Sequence, residues 1–180
     1  MGHSANTAQP LDVRLKRLAE HIEALSEKDE NVRRYTREIL ALRQSAAREL
    51  WGICADFVHG LNSLLQNDRV DLDPDAFNSE TFQEIGPNLV QINVRGRILQ
   101  VEFQATPELT STEDFRIPYT LEGAVRAFNQ TLLDKDVIEE QLLFYTMEGP
   151  RGMWRFFDPR TYRSGPFDQS YLISLMEQIV

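Results

Sequence analysis

Apolar and polar residues alternate most regularly between Asn88 and Ala105. The alternation has a period of two on both sides of Arg95-Gly96, where glycine supplies the positive φ of a tight turn, so it predicts an antiparallel hairpin. One face of this hairpin is apolar and the other is polar, which predicts a sheet that is covered on one side. The apolar positions are Val90, Ile92, Val94, Leu99, Val101, Phe103 and Ala105.

A second alternating run, Phe115–Leu121, predicts a third strand. Pro118 cannot donate a hydrogen bond to a ladder, so the strand is expected to lie at an edge or to be bulged there. Gly123 predicts a further bulge, after which the strand is expected to continue to Phe128. Apolar residues within 120–140 also fit helical spacing, so a helix is the alternative for that stretch.

Two further strands, Gln141–Met147 and Met153–Phe157, are predicted on either side of the turn-forming run Glu-Gly-Pro-Arg-Gly. Both are apolar on each face, which predicts cover on both sides. The last helix is predicted to begin at the N-cap Asp168 and to cover the second side of these strands. The polar stretches 66–78, 107–114 and 158–166 are predicted to be loops.

The N-terminal third of the chain has a helical period. Residues 1–9 are small and polar and predict a flexible tail. A helical arm is predicted over residues 10–66, either as a helical hairpin or as one long broken helix. At the charged stretch Ser26–Asn31 the helix either breaks, with Asn31 as a new N-cap, or runs straight through. The prediction is a single α+β domain, 1–180, in which 79–180 forms an antiparallel meander of about five strands and a C-terminal helix.

The first part of the arm carries a narrow apolar stripe, whose members recur at spacings of four, three, four and three residues. This two-in-seven pattern is narrower than the apolar face of an ordinary core helix. Two interpretations follow: the helix packs antiparallel on a neighbour in the same chain, or the stripe pairs with a second copy. The residues of this seam are Leu11, Leu15, Leu18, Ile22 and Leu25.

The net charge and the length of the apolar runs limit the classes of partner that the sequence predicts. The chain has 180 residues and a formal net charge of −9, which argues against a nucleic-acid partner. Its apolar runs are far shorter than the roughly 20 residues that span a bilayer, and no secretory signal is visible, so the expectation is a cytoplasmic protein without membrane contact. The single cysteine, Cys54, is expected to be a buried apolar residue.

No catalytic residue, metal site or cofactor is predicted, because the histidines and Cys54 lack metal-ligand spacing. The stretch 151–163 holds four arginines interleaved with aromatic residues, which suits an acidic protein partner or an anionic small ligand. The alternative is that Asp158, Glu140 or the acids of the N-terminal helices pair with these arginines and fix the loop. The residues of this predicted site are Arg151, Arg155, Arg160, Tyr162 and Arg163.

The leading functional hypothesis is a non-enzymatic interaction or assembly protein that forms a homo-oligomer, most simply a homodimer, through its N-terminal helices. The alternative is a small-molecule binding protein for an anionic ligand, or an enzyme, with a pocket between the sheet and its helices.

Overall fold

The computed structural model describes residues 10–129 and 139–180. The chain divides into two compact units, Met1–Ala41 and Leu42–Val180. The predicted α+β class is confirmed, with an N-terminal helix, an antiparallel meander and a C-terminal helix. The elements are α1 (Leu11–Leu64), β1 (Asp71–Asp73), a 3₁₀ turn (Ser79–Thr81), β2 (Asn88–Val94), β3 (Arg97–Thr110), β4 (Tyr119–Asn129), β5 (Glu139–Thr146), β6 (Met153–Asp158), β7 (Arg163–Pro166) and α2 (Gln169–Met176).

A single helix, α1, occupies the predicted helical arm. The alternative in which the helix runs straight through Ser26–Asn31 is therefore confirmed, and the hairpin and the break are wrong. Ser26–Asn31 is helical throughout. Asn31 does not cap a new helix, since its Oδ1 accepts a hydrogen bond from Arg34 Nη2 at 2.9 Å along the helix surface. Without glycine or proline, this charged stretch offers side-chain pairs three residues apart that stabilise a helix, and nothing that breaks it.

The described strands form one seven-stranded sheet in which each strand pairs with the next, compared with about five strands predicted. The two additional strands are the edges, β1 and β7. Asp71 of β1 pairs with Asn93, and Arg163 of β7 pairs with Asp158. Both edge strands are short and lie in stretches predicted to be loops, and Pro74 directly follows β1.

The β2–β3 hairpin confirms the prediction from alternation. Val94 pairs with Arg97, so the turn consists of Arg95 and Gly96 alone. Both have positive φ, 52° and 86°, as a type I′ turn requires. Asn93 Oδ1 accepts the Gly96 N–H at 2.9 Å and fixes this turn.

The predicted tail, residues 1–9, and residues 130–138 lie outside the described residues. For the stretch where helix was the alternative, residues up to Asn129 are strand β4, as predicted. β4 begins at Tyr119, after Pro118, rather than at Phe115. β3 runs to Thr110, well into the loop predicted over 107–114.

The main core lies on one face of the sheet. Ala46 and Leu50 of α1 pack in one cluster with Trp154 of β6, whose Nε1 donates to Ala46 O at 2.8 Å. Phe156, two residues along the same strand, stacks on Tyr171 of α2 with ring centroids 4.2 Å apart. The helix α2 therefore covers the same face as α1, and the expectation that it covers the second face is wrong.

Aromatic residues cover part of the second face. Phe115 stacks on Phe144 of β5 at a centroid distance of 4.4 Å, and Tyr119 and Phe157 complete this smaller cluster. A segment that precedes β4, rather than a helix, thus shields this side of β5 and β6. This explains why both strands are apolar on each face.

Arg43 is a buried cation that connects α1 to the sheet. Only 5% of its surface is exposed. Its guanidinium donates to Thr120 Oγ1 at 3.0 Å, to Glu84 Oε1 at 3.1 Å and to the carbonyl oxygen of Thr106. Because all three nitrogens have acceptors, the buried charge is compensated and the contact is structural.

Candidate interaction surfaces

The described part of the first unit presents the predicted seam on its surface. Every residue from 10 to 38 is exposed in the single chain. The five seam side chains, Leu11 to Leu25, are between 55% and 68% exposed. Helices in proteins owe most of their stability to packing of an apolar face, so this seam is a surface suited to a partner.

The seam spacing continues beyond Leu25. Val32, which is 56% exposed, and Ile39 repeat the position of Leu25 at intervals of seven, whereas Asp29 and Thr36 interrupt the second apolar position. The predicted seam ends at Leu25, and the next position in its spacing is the charged Asp29. This set, here named the extended seam, spans roughly four heptads. Its positions are Leu11, Leu15, Leu18, Ile22, Leu25, Asp29, Val32, Thr36 and Ile39.

The first unit is electrically balanced. Residues 1–41 contain seven Lys or Arg and seven Asp or Glu, whereas the whole chain has 19 and 28. The net charge of −9 therefore lies entirely within residues 42–180. Two copies of the first unit can meet without net repulsion between them.

The predicted arginine site is divided by strand β6. The turn that contains Arg151 precedes β6, and the turn that contains Arg160 and Tyr162 follows it. β6 has 6 residues, and a strand of this length spans roughly 20 Å. The predicted site residues therefore lie in separate places, and binding of an anionic ligand by them stays a prediction.

Two of these arginines are held by carboxylates. The pair of Arg160 with Asp158 is one that the alternative interpretation named, whereas Arg155 pairs with Glu148, which it did not name. Arg155 Nη2 lies 3.2 Å from Glu148 Oε2. Asp158 Oδ1 accepts the backbone N–H of Arg160 at 2.9 Å, and the guanidinium of Arg160 lies 3.4 Å from the same oxygen. The backbone hydrogen bond is the largest of the interactions that lower the pKa of Asp158, followed by the hydroxyl of Thr161. These contacts fix the β6–β7 turn.

Arg163 lines a pocket of about 360 Å³ between the sheet and α2. Within residues 10–129 and 139–180, Arg163 forms no ion pair. The carboxylates of Asp158 and Asp168 line the same pocket and offset the charge of Arg163. The hydroxyl of Tyr171 donates to Gln141 Oε1 at 2.7 Å at its wall. The pocket therefore lacks the net positive charge that would select an anion.

The polar face of the sheet contains a groove of about 350 Å³. Arg126 lies along it between Glu140, at 2.6 Å, and Glu102, at 3.1 Å. The hydrogen bond to Glu140 contributes most to the raised pKa of Arg126. Glu102, Arg126 and Glu140 thus form a row of alternating charges that links β3, β4 and β5. Because each charge in this row has a partner, the row holds no group prepared for acid–base chemistry.

The thiol of the single cysteine, Cys54, is inaccessible. Cys54 is fully buried, and burial raises the pKa of its thiol to about 12, so it is not a nucleophile at neutral pH. In the described ranges no group of three or more His, Cys, Asp or Glu is placed to hold a metal ion. None of the helices seen there is both long and apolar enough to cross a bilayer.

No protein-family model, curated protein or solved structure matches the chain. The functional assignment therefore depends on the surfaces that the described residues expose. Of the surfaces described above, only the extended seam combines several large exposed apolar side chains with a regular spacing.

Proposed function

We propose that this protein is an interaction protein that self-associates through Leu11, Leu15, Leu18, Ile22 and Leu25. The observation that carries the proposal is that all five side chains are more than half exposed along one helical stripe. Full burial of one such side chain contributes about 1.5–3 kcal/mol. Ten of them, five from each copy, offer a gain of the same order as the cost of association, about 4–15 kcal/mol.

A second copy of the chain suits this seam better than an unrelated partner. A two-in-seven stripe is self-complementary, because the side chains of one helix fit between the same side chains of another. The balanced charge of residues 1–41 means that the two seams themselves meet without net repulsion, although the whole protein carries a net charge of −9.

Substitution of Leu18 by Glu tests the proposal, because it places a carboxylate in the middle of the seam. Leu18 is 55% exposed in the single chain, so the substitution removes little internal packing. We expect the wild-type protein to sediment as a dimer and Leu18→Glu to sediment as a monomer, measured by analytical ultracentrifugation over a concentration series.

Val13→Glu is the matched control. Val13 lies on the same helix and is 49% exposed, but it stands outside the seam. It introduces the same charge and is expected to leave the dimer intact. Circular dichroism of both variants checks that helix content is unchanged. A wild-type protein that remains monomeric at the highest concentration reached would refute the proposal.

A further inference from the structure

We infer that Asp29 limits this self-association by placing a carboxylate within the extended seam. The inference rests on the proposed function. Asp29 stands four residues after Leu25 and three before Val32, at the heptad position that Leu15 and Ile22 occupy earlier in the helix. A polar residue at this position of a paired helix restricts how the helices pair and lowers the stability of the pair.

The contacts of Asp29 differ from those of its neighbour Glu30. Glu30 lies outside the seam, and its carboxylate is 3.0 Å from Arg37 and 4.0 Å from Arg33. Asp29 forms no side-chain hydrogen bond or ion pair with any residue that the structure describes. Its charge is therefore not compensated within the helix and depends on water.

Pairing of two copies removes that water, whichever way the helices run. In a parallel, in-register pair the two Asp29 carboxylates face each other, and like charges repel. In an antiparallel pair each carboxylate faces an apolar residue of the partner, and desolvation of the charge is unfavourable. In both arrangements the seam is weakened between Leu25 and Val32, so the complex is expected to dissociate readily on dilution.

The test is Asp29→Leu in the full-length protein, with the dissociation constant of the dimer measured by sedimentation equilibrium. Leucine restores the apolar position and joins the two halves of the extended seam. We expect the dissociation constant to fall by about tenfold or more, which corresponds to about 1.4 kcal/mol.

Two controls separate the seam from general effects. Asp29→Glu keeps the charge and raises helix propensity, so it shows whether a better helix alone strengthens the dimer. Glu27→Leu removes a charge and adds an apolar side chain on the side of the helix away from the seam. Both are expected to leave the dissociation constant within about twofold of wild type.

The outcomes distinguish this inference from the proposed function. If Asp29→Leu binds no more tightly than wild type while Leu18→Glu still abolishes the dimer, the inference fails and the proposed function stands. If wild type and Asp29→Leu are both monomeric at every concentration, both fail. If Glu27→Leu tightens the dimer as much as Asp29→Leu, the effect does not come from the seam and the inference is overturned.

Discussion

Arg43 shows how a single residue is constrained by the core around it. Its guanidinium is enclosed between α1 and the sheet, and two of its acceptors, Thr106 and Thr120, are themselves 2% exposed. Nothing in the sequence separates it from the exposed arginines of the same helix, because its acceptors lie 63 and 77 residues further along the chain.

Substitution of Arg43 by Ala is therefore expected to be strongly destabilising. The change leaves a cavity, and the buried oxygens of Thr106 and Thr120 lose hydrogen-bond donors. We expect the free energy of unfolding to fall by about 3 kcal/mol, measured by urea denaturation. Arg37→Ala, which removes an exposed pair with Glu30 and an exposed hydrogen bond to the carbonyl oxygen of Arg33, is expected to change it by less than about 0.5 kcal/mol. Equal effects would contradict the role assigned to Arg43.

At the scale of the strands, the close approach of β3 to β4 requires a glycine at position 123. The sequence suggested a bulge here, but the register is regular, and Gly123 pairs with Phe103. A Cβ atom at Gly123 would lie 1.9 Å from the carbonyl oxygen of Glu102 and 2.7 Å from Phe103 Cα. The missing side chain thus permits the close contact of two strands.

Gly123→Ala is expected to lower the free energy of unfolding by at least about 2 kcal/mol, because the clash is with backbone that cannot move without breaking the ladder. Gly52→Ala is the matched control in α1, where a Cβ atom meets nothing within 4 Å. In a helix interior, alanine is expected to raise the stability by about 0.5–1 kcal/mol. Thermal or urea unfolding measures the stability of both variants. If both substitutions changed the free energy of unfolding in the same direction, the role assigned to Gly123 would be contradicted.

The elements that the sequence predicted well are those in which local pattern and packing agree. The β2–β3 hairpin was found because its alternation matches the buried face, and its Arg95-Gly96 turn has a clear signal. The edge strands β1 and β7 are not predicted because Asp-Leu-Asp is too short to establish an alternation and Arg-Ser-Gly-Pro has none, and their pairing depends on a neighbouring strand. The face covered by α2 was not predictable, because strands apolar on both sides do not indicate which side a helix takes.

The candidate site was predicted in part. The exposed seam up to Leu25 follows directly from spacing, since a solvent-facing stripe is visible in the sequence. The continuation of the seam through Val32 is harder to recognise, because the charged Asp29 interrupts the apolar spacing. The arginines of the predicted site are close together only along the chain. Strand β6 separates Arg151 from Arg160 in space, and this separation cannot be read from their spacing in the sequence.

The whole molecule has an uneven charge that bears on its assembly. Residues 1–41 are neutral, and residues 42–180 carry the net charge of −9. In a dimer, both copies of this acidic part are present in one particle and repel each other over distances comparable with the Debye length.

Added salt is therefore expected to strengthen the dimer. Between roughly 50 mM and roughly 500 mM NaCl the Debye length falls from about 14 Å to about 4 Å, which screens this repulsion, while apolar seam contacts are little affected. We expect the dissociation constant, measured by analytical ultracentrifugation, to fall over this range. A dimer that weakens with salt would instead indicate that ion pairs between the copies dominate.

The two short outer strands have one more consequence. A β-sheet grows by recruiting further strands along its free rims, and here one rim is three residues long and followed by Pro74, while the other ends at Pro166. Proline has no N–H to offer an incoming chain, and short rims give it little to bind. Polymerisation into fibrils by strand addition is thereby discouraged.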